Sequence, residues 1–368
     1  MTTDKDTNKV YFSSYIRRYR CWTNIKQALE ECGVKYGFLD NTKDIWVRDF
    51  MPVEREKGKF MGYTYFPDYL KSETKYITDN VYGCYDFADT DFVKLNYIID
   101  GGNLIKCGSK VVMTDKVLMN MDRDYRDAFL DKLGHVFDAD VVIIPWDRSE
   151  PYGHADGMVR FVEDGNVLIN NYGDYDMAFR DRLVKALEPH FNMISELQYG
   201  NDARKDSWAH LNFLRVGNVI LVPQMNIASD GTALKQIESI YKGCRAVGVE
   251  MKNVVKRGGA LNCISWNVRE DEEPGFKNSF EHYAEDIRRY ILNKFYVRAS
   301  IADLYDVVTE GSALKPVCKD SQSDTFGFTG AVLESIRKDD LINIEKVYDD
   351  DAVTFGNPFF ITYEFYVQ

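Results

Sequence analysis

One arrangement of predicted elements recurs along most of this chain, in the order strand, turn, strand, helix, strand. A polar residue stands at the corresponding strand of each copy, and these five markers are Asp49, Asp100, Asp156, Asn212 and Cys263. Successive markers are 51, 56, 56 and 51 residues apart. Each copy of such a repeat is one supersecondary unit that buries its apolar face against its neighbours. The period therefore predicts an α/β chain of five ββαβ units in a closed, pseudo-fivefold arrangement.

The segments between the markers carry patterns that fit this unit. Apolar residues at helical spacing predict helices over 19–30, 124–133, 177–187 and 231–241. Short apolar runs predict strands over 34–39 and 141–145, and hairpin pairing of 96–105 with 111–114 and of 211–214 with 219–223. The aromatic-rich run 63–85 has neither pattern, and it predicts a long covering loop.

Closure of the five units would have a chemical consequence. If each unit points its marker at a common axis, the five markers meet in one pocket. That pocket would hold acids, an amide and a thiol, together with His154, which lies just before Asp156 in the chain. We therefore expect the functional site at this axis.

Cys263 follows a glycine pair, Gly258 and Gly259, in the stretch 257–267. Adjacent glycines allow positive φ angles and close approach to another surface. A cysteine is a nucleophile only as its thiolate, and the free thiol pKa of about 8.5 must be met or lowered by the surroundings. A small apolar residue buried beside a turn explains the local sequence equally well, so the other markers have to decide between packing and chemistry.

The bulk properties exclude several classes of protein. The 368 residues carry a net charge of −12, which argues against a nucleic-acid partner and against binding to an anionic membrane. The polar start lacks the apolar core of a signal peptide, and no window approaches the roughly 18 apolar residues of a membrane span. Seven scattered cysteines without a C-x-x-C pair indicate neither a disulfide framework nor a zinc site. We expect a reduced, cytoplasmic protein.

The markers suit the chemistry of a guanidino group. Carboxylates bind a planar guanidinium through paired, charge-assisted hydrogen bonds. The cation would favour a neighbouring thiolate, whose sulfur could attack the guanidinium carbon. One histidine could donate a proton to departing ammonia and later accept one from attacking water. The residues thus predict hydrolysis of a small-molecule or peptide guanidino group to a ureido group, with no metal and no organic cofactor.

Five motifs resemble those of the guanidine-modifying enzyme superfamily, and within it the agmatine deiminase and bacterial peptidylarginine deiminase family. In chain order they are Trp46-Val47-Arg48-Asp49, Asp100-Gly101-Gly102-Asn103, Gly153-His154-Ala155-Asp156, Asn212-Phe213 before Val222-Pro223, and Gly258-Gly259-Ala260-Leu261-Asn262-Cys263. The resemblance runs in order over residues 10–268. It implies a pentein-like fold, a pseudo-fivefold α/β-propeller of ββαβ units.

The same resemblance implies a role for each matching residue. Cys263 would be the nucleophile and His154 the general acid and base. Asp49 and Asp156 would complete the catalytic set by holding the guanidinium. The substrate-binding residues would be Trp46, Asp100, Gly101, Gly102, Asn103 and Asn212. Trp46 would form one wall of the pocket. Gly101, Gly102 and Asn103 would shape the backbone beside the stem of the substrate.

Two positions depart from the family pattern. Asn262 precedes the nucleophile, where a histidine is common, and Asp100 stands where agmatine deiminases tend to have glutamate. Both changes preserve the guanidinium chemistry, but they leave the tail of the substrate open among agmatine, arginine and peptidyl-arginine.

Other readings of the same residues stay open at this point. Amidinotransferases of the same fold use a similar set and pass the amidino group to an amine. A non-catalytic guanidine-binding protein would not need Cys263, which argues against that reading. His154 and Asp156 could be half a metal site, although no second His or Cys cluster accompanies them. Arg48 points away from Asp49 on a predicted strand, and we expect it to form structural ion pairs.

The tail, 276–368, predicts a small α+β region that follows a linker over 271–275. A helix is predicted over 279–295 and a strand over 359–367. No motif stands out there. This region could cap the propeller, restrict access to the pocket or hold a homo-oligomer together.

Overall fold

The computed structural model describes residues 1–87, 90–119, 121–163 and 165–270, together with two strands of the tail. The chain divides into two compact units, Met1–Glu270 and Asp271–Gln368. The strands of the first unit are β1 Lys9–Ser13, β2 Lys35–Leu39, β3 Val53–Glu56, β4 Lys59–Thr64, β5 Asp91–Ile98, β6 Ile105–Cys107, β7 Lys110–Thr114, β8 Asp140–Ile144, β9 Val159–Phe161, β10 Asn166–Ile169, β11 Met193–Glu196, β12 Leu214–Val216, β13 Val219–Gln224, β14 Arg245–Glu250 and β15 Ser265–Val268. Its α-helices are α1 Cys21–Glu31, α2 Val47–Phe50, α3 Arg123–Phe137, α4 Met177–Leu187, α5 Asp230–Ile240 and α6 Lys252–Val255.

These strands form five three-stranded sheets among the described residues. The orders are β3-β4-β5, β6-β7-β8, β9-β10-β11, β12-β13-β14 and β15-β1-β2. In each sheet the central strand pairs antiparallel with one neighbour and parallel with the other. Parallel neighbours need a long crossover, which a helix supplies in four of the five sheets. The predicted α/β class is confirmed, and the five sheets are consistent with the predicted five units.

The fifth sheet joins the two ends of this first unit. β1, near the start of the chain, pairs antiparallel with β15, so that Val10 lies opposite Asn267 and Phe12 opposite Ser265. The strand that carries the residues after Cys263 is thereby held by the N-terminal segment. Removal of that segment would leave β15 without its partner strand.

The crossover helices follow their caps and apolar spacing. The Asp176 side chain accepts a hydrogen bond from Phe179 N and begins α4, which buries Phe179, Leu183 and Leu187 on one face. The Asp122 side chain begins α3 in the same way. The helix predicted over 177–187 is confirmed at both ends, whereas the one predicted over 124–133 extends four residues further.

The unit of β3, β4 and β5 differs from the others. Between β4 and β5 the described residues form short 3₁₀ helices at Asp68–Leu70, Thr74–Tyr76 and Val81–Gly83 instead of an α-helix. The covering loop predicted over 63–85 is therefore confirmed from residue 65 onward. Aromatic packing anchors its far end, where the ring centroids of Tyr85 and Trp266 lie 4.9 Å apart.

The structure corrects two expectations about the strands. The run 96–105 breaks at its Asp-Gly-Gly-Asn segment, which forms a 3₁₀ helix at Gly101–Asn103 between β5 and β6. The hairpin partner of β7 is β6, and β5 pairs with β4 instead. The marker residues also do not lie on strands. They lie in or beside short helical turns that precede the first strand of each sheet.

The second unit is described by two strands, β16 Ile342–Tyr348 and β17 Ile361–Val367, which pair antiparallel. The strand predicted over 359–367 is confirmed as β17. The predicted linker over 271–275 and helix over 279–295 lie outside the described residues. Within the described part of the chain, no helix combines the length and the apolar character that crossing a membrane requires.

Candidate active site

The helical turns before the first strands bring the predicted site residues into two contact groups. One group joins Asp49 and Asp100 through His154. The other joins Asp156 and Asn212 through Cys263. All these side chains are buried or nearly so. Residues that are up to 214 positions apart in the sequence thus meet in one region of the first unit.

Asn212 holds the loop that carries Cys263. Its side-chain oxygen accepts hydrogen bonds from Ala260 N at 3.2 Å and from Cys263 N at 3.3 Å. Its backbone oxygen accepts a third from Asn262 N at 3.0 Å. The Asn212 amide nitrogen is buried and has no hydrogen-bond partner among the described residues. The side-chain oxygen of Asn212 therefore holds the loop in place, while its side-chain nitrogen remains an unused hydrogen-bond donor.

The Cys263 thiol faces a carboxylate. It donates to Asp156 Oδ2 over 3.4 Å, and Asn262 Nδ2 donates to the same oxygen at 2.7 Å. Burial, together with the negative charges of Asp156 and Asp49, raises the pKa of Cys263 well above its ordinary value. Without a bound cation, this thiol therefore stays protonated at neutral pH.

His154 lies between two carboxylates. Its Nδ1 is 3.6 Å from Asp49 Oδ1, and its Nε2 is 3.1 Å from Asp100 Oδ2. Burial alone would lower the pKa of His154, but Asp49 and Asp100 raise it to about 10. Burial raises the pKa of Asp49 to about 7, although His154 opposes that shift. The imidazole is thus held as a cation by two acids.

Asp100 keeps one acceptor for another group. Its Oδ2 faces His154, whereas its Oδ1 is buried without a hydrogen-bond partner in the described part of the chain. A buried, unpaired carboxylate oxygen is costly unless something else donates to it. Together with the free amide of Asn212, it gives the site one unmet acceptor and one unmet donor.

Three glycines make room for these side chains. A Cβ atom on Gly102 would lie 2.7 Å from Asp49 Oδ1 and 2.7 Å from His154 Nδ1. A Cβ atom on Gly101 would overlap the backbone oxygen of Arg48, and one on Gly259 would overlap the Trp46 ring. The glycines of both motifs are therefore required by close approach to side chains of the candidate site or to their supports.

Gly102→Ala should lower kcat/KM by about 100-fold, because displacement of His154 or Asp49 by a fraction of an ångström spoils the geometry of the reaction. Steady-state assays of the variant beside the wild type check this. Gly231→Ala is the matched control, since a Cβ atom there meets nothing within 4 Å on a helix. Equal activity of the wild type and Gly102→Ala would contradict the crowding at this position.

Three residues beside the candidate site were not predicted from the sequence. The Tyr69 ring, from the covering loop, packs against Tyr152 at 5.0 Å between centroids and lies 6.1 Å from the His154 ring. Lys116 ties this loop down by donating to Asp68 Oδ1 at 2.9 Å and to Tyr152 O at 2.6 Å. Two features of the sequence pointed to them: Tyr69 lies in the predicted covering loop 63–85, and Tyr152 stands two residues before His154.

Two predicted residues have different surroundings from those expected. Asn103 accepts a hydrogen bond from Thr114 N at 2.9 Å and so supports β7. Arg48 lies in α2 and not on a strand, and it donates to Asn267 Oδ1 at 2.7 Å and to Asn262 O at 3.3 Å. Its partners are therefore neutral, and the expected ion pair is not found among the described residues.

The interpretation of His154 and Asp156 as half of a metal site can be compared with the described residues. Within them, no three His, Cys, Asp or Glu side chains are grouped as a metal site would require. His154 and Asp156 face different partners, His154 the two other carboxylates and Asp156 the thiol.

Comparison with known proteins finds relatives named as agmatine deiminases. A relative from Enterococcus faecalis, provisionally named an agmatine deiminase, is 22% identical over 278 residues, which cover 61% of this chain and 74% of that protein. A relative from Lactococcus lactis with the same provisional name is 23% identical over the same coverage.

Solved structures share the fold at low sequence identity. The agmatine deiminase of C. jejuni is 16% identical with a TM-score of 0.57, over 73% of this chain and 95% of that one. An amidinotransferase from Microseira wollei is 13% identical with a TM-score of 0.54, over 74% and 97% of the two chains. The sequence model of one family, the Porphyromonas-type peptidyl-arginine deiminases, matches residues 18–268. Because this match spans more than half of the chain, the chain belongs to the Porphyromonas-type peptidyl-arginine deiminase family.

Proposed function

We propose that this protein hydrolyses a guanidino compound to a ureido product and ammonia through a covalent intermediate on Cys263. One observation carries the proposal. The Cys263 thiol, 3.4 Å from Asp156, lies in the same buried region as His154, which is flanked by Asp49 and Asp100. A protein that only bound guanidino compounds would need the acids but not the thiol.

The guanidinium would bind to carboxylates of both contact groups. Asp49 and Asp156 would accept its N–H groups in pairs, and the unmet Asp100 Oδ1 would accept another. The Trp46 ring, stacked on Gly259, would form one wall of the pocket. The substrate cation would also stabilise the thiolate, which the free site disfavours through burial and negative charge.

The reaction follows from the positions of the thiol and the imidazole. Cys263 Sγ would attack the guanidinium carbon and form a tetrahedral adduct, and its thiol proton would pass to a carboxylate or to the substrate. His154, cationic in the free site, would protonate the departing nitrogen, so that ammonia leaves and a thiouronium remains. His154 would then accept a proton from water as the oxygen attacks the same carbon. Collapse of this second adduct releases the ureido product and regenerates the thiol.

The thiol should react faster with a cationic reagent than with its neutral analogue. We expect chloroacetamidine to alkylate Cys263 at neutral pH much faster than chloroacetamide does, because the amidinium pairs with the carboxylates and lowers the pKa of the thiol. Peptide mapping by mass spectrometry separates Cys263 from the other cysteines. Chloroacetamide labelling should accelerate only at alkaline pH.

Cys32, near the surface at the end of α1, is the internal control for this experiment. It should show no preference for the amidine. Equal preference at Cys32 and Cys263 would mean that the reagents differ in intrinsic reactivity alone, and the proposed cation site would then be wrong.

A substrate panel tests the function itself. The protein is incubated with agmatine, free arginine and arginyl peptides, and ammonia and ureido product are measured. Ammonia release with one of them supports the proposal. Amidino transfer to an added amine without ammonia would favour an amidinotransferase, a second candidate that the similarity to the Microseira wollei enzyme keeps in view. No product from any combination would favour a non-catalytic guanidine-binding protein.

We also propose that the five sheets close into a pentein-like, five-bladed propeller over residues 10–268, with 276–368 as a separate α+β region. The pairing of β1 with β15 supports closure, because it completes the fifth unit from both ends of the first compact unit. Analytical ultracentrifugation of the full chain and of a variant ending at residue 270 would test whether the tail mediates a homo-oligomer.

A further inference from the structure

A second polar centre adjoins the Cys263 loop at Asn262 but includes neither Cys263 nor His154, and the proposed reaction does not use it. A cavity of about 30 Å³ is lined by the cationic side chains of Arg48, Lys106, Arg160 and Arg215, together with Asp4 of the N-terminal segment. Lys106, Arg160 and Arg215 are the middle residues of three successive first strands, β6, β9 and β12. The repeat therefore places cations from neighbouring units around one cavity.

Two of these cations are paired with carboxylates. Arg160 donates to Asp4 Oδ2 at 2.7 Å, and Arg215 donates to Glu163 Oε1 at 2.8 Å. Glu163 is itself shared with Lys5 on the surface. The local carboxylates are thus already engaged by other cations.

The other two cations have only neutral partners. Arg48 donates to the side-chain oxygen of Asn267 and to the backbone oxygen of Asn262. Lys106 donates to the backbone oxygen of Glu54 at 3.0 Å. In the described part of the chain, neither of them forms an ion pair with a carboxylate. The Glu54 carboxylate instead accepts from the backbone of Gly58 and Arg269.

Burying a cation without an ion-pair partner costs free energy. An ionised group removed from water must be compensated or lose its charge. Burial lowers the pKa of Lys106 and of Arg48, and the negative charge of Asp4 opposes that shift only in part. A guanidinium keeps its proton in proteins, however, so that Arg48 cannot escape by deprotonation. An anion would compensate both charges at once.

We propose that this cavity binds one small monovalent anion of the size of chloride, beside Arg48 and Lys106. A cavity of this volume has room for at least one water-sized particle, which is enough space for a halide ion. Such an anion stabilises the folded state by mass action because the unfolded chain has no equivalent site.

Bromide is the probe for the site. Crystals of the full chain grown in sodium bromide should show an anomalous scattering peak in the cavity. In solution, the thermal midpoint should rise with sodium chloride more than with sodium gluconate at equal ionic strength. A cavity that holds only water in bromide-grown crystals, or equal responses to chloride and gluconate, overturns the proposal.

Two variants and a control make the solution test specific. Lys106→Met should lose the difference between chloride and gluconate, and without chloride it should be at least as stable as the wild type because an unpaired buried charge is gone. Lys94→Met removes an exposed charge that does not line the cavity and should keep the difference. Asp4→Asn removes the competing carboxylate and should enlarge the chloride response. An unchanged response in both Lys106→Met and Asp4→Asn would also overturn the proposal.

Discussion

Cys263→Ser should lower kcat by about 10⁴-fold or more while the fold is kept. The hydroxyl is nearly isosteric with the thiol, but no base in the site could ionise it, so the covalent step is lost. Release of ammonia and ureido product from the active substrate of the panel measures the effect. Binding of that substrate should persist, because the carboxylates that hold the guanidinium are unchanged.

Cys32→Ser is the matched control for this substitution. Cys32 lies at the end of α1 and contacts no site residue named above, so the variant should retain the activity of the wild type. Thermal midpoints of both variants show whether the fold survives. Substantial turnover by Cys263→Ser, with a native midpoint, would rule out Cys263 as the nucleophile.

His154→Gln should lower kcat by about 10²- to 10⁴-fold, the usual contribution of a general acid and base. The wild type should also show a bell-shaped dependence of kcat/KM on pH. Activity should rise through about pH 7 as Asp49 ionises and can bind the cation, and fall through about pH 10 as His154 loses its proton. Because the two groups interact, these limbs belong to the pair.

The alkaline limb distinguishes a catalytic from a merely structural His154. It should disappear in His154→Gln, whereas a structural role would lower activity equally at every pH. His190→Gln, at an exposed position, is the control and should keep both limbs. An alkaline limb that survives unchanged in His154→Gln would assign it to another group.

The sequence was most informative where residue type and spacing are set by the chemistry. The five markers and the glycine pairs identified the contact partners of the candidate site, because a guanidinium needs carboxylates and close packing needs glycine at positions such as 102. The helix over 177–187 was predicted at both ends, because its cap and its apolar face are local signals.

Other predictions failed for physical reasons that lie outside any local window. The markers were assigned to strands, but they lie in short helical turns, since buried polar groups of the turns find partners in other units and not along a strand. Hairpin pairing of the run 96–105 with 111–114 was predicted from the apolar residues of both segments. Most of the paired part of that run instead belongs to β5, which pairs with β4, because strand pairing depends on the neighbouring strands of the sheet.

The sequence by itself determined the α/β repeat, the family and the identities of the acidic, amide, imidazole and thiol residues in the candidate site. Only the tertiary structure decided which of those residues touch. It set His154 between two acids, placed the Asp156 carboxylate against the thiol, and left Arg48 and Lys106 with neutral partners around a cavity. The reason is that charge states and unmet hydrogen bonds depend on distances between side chains from different units. A pattern along one chain carries no record of those distances.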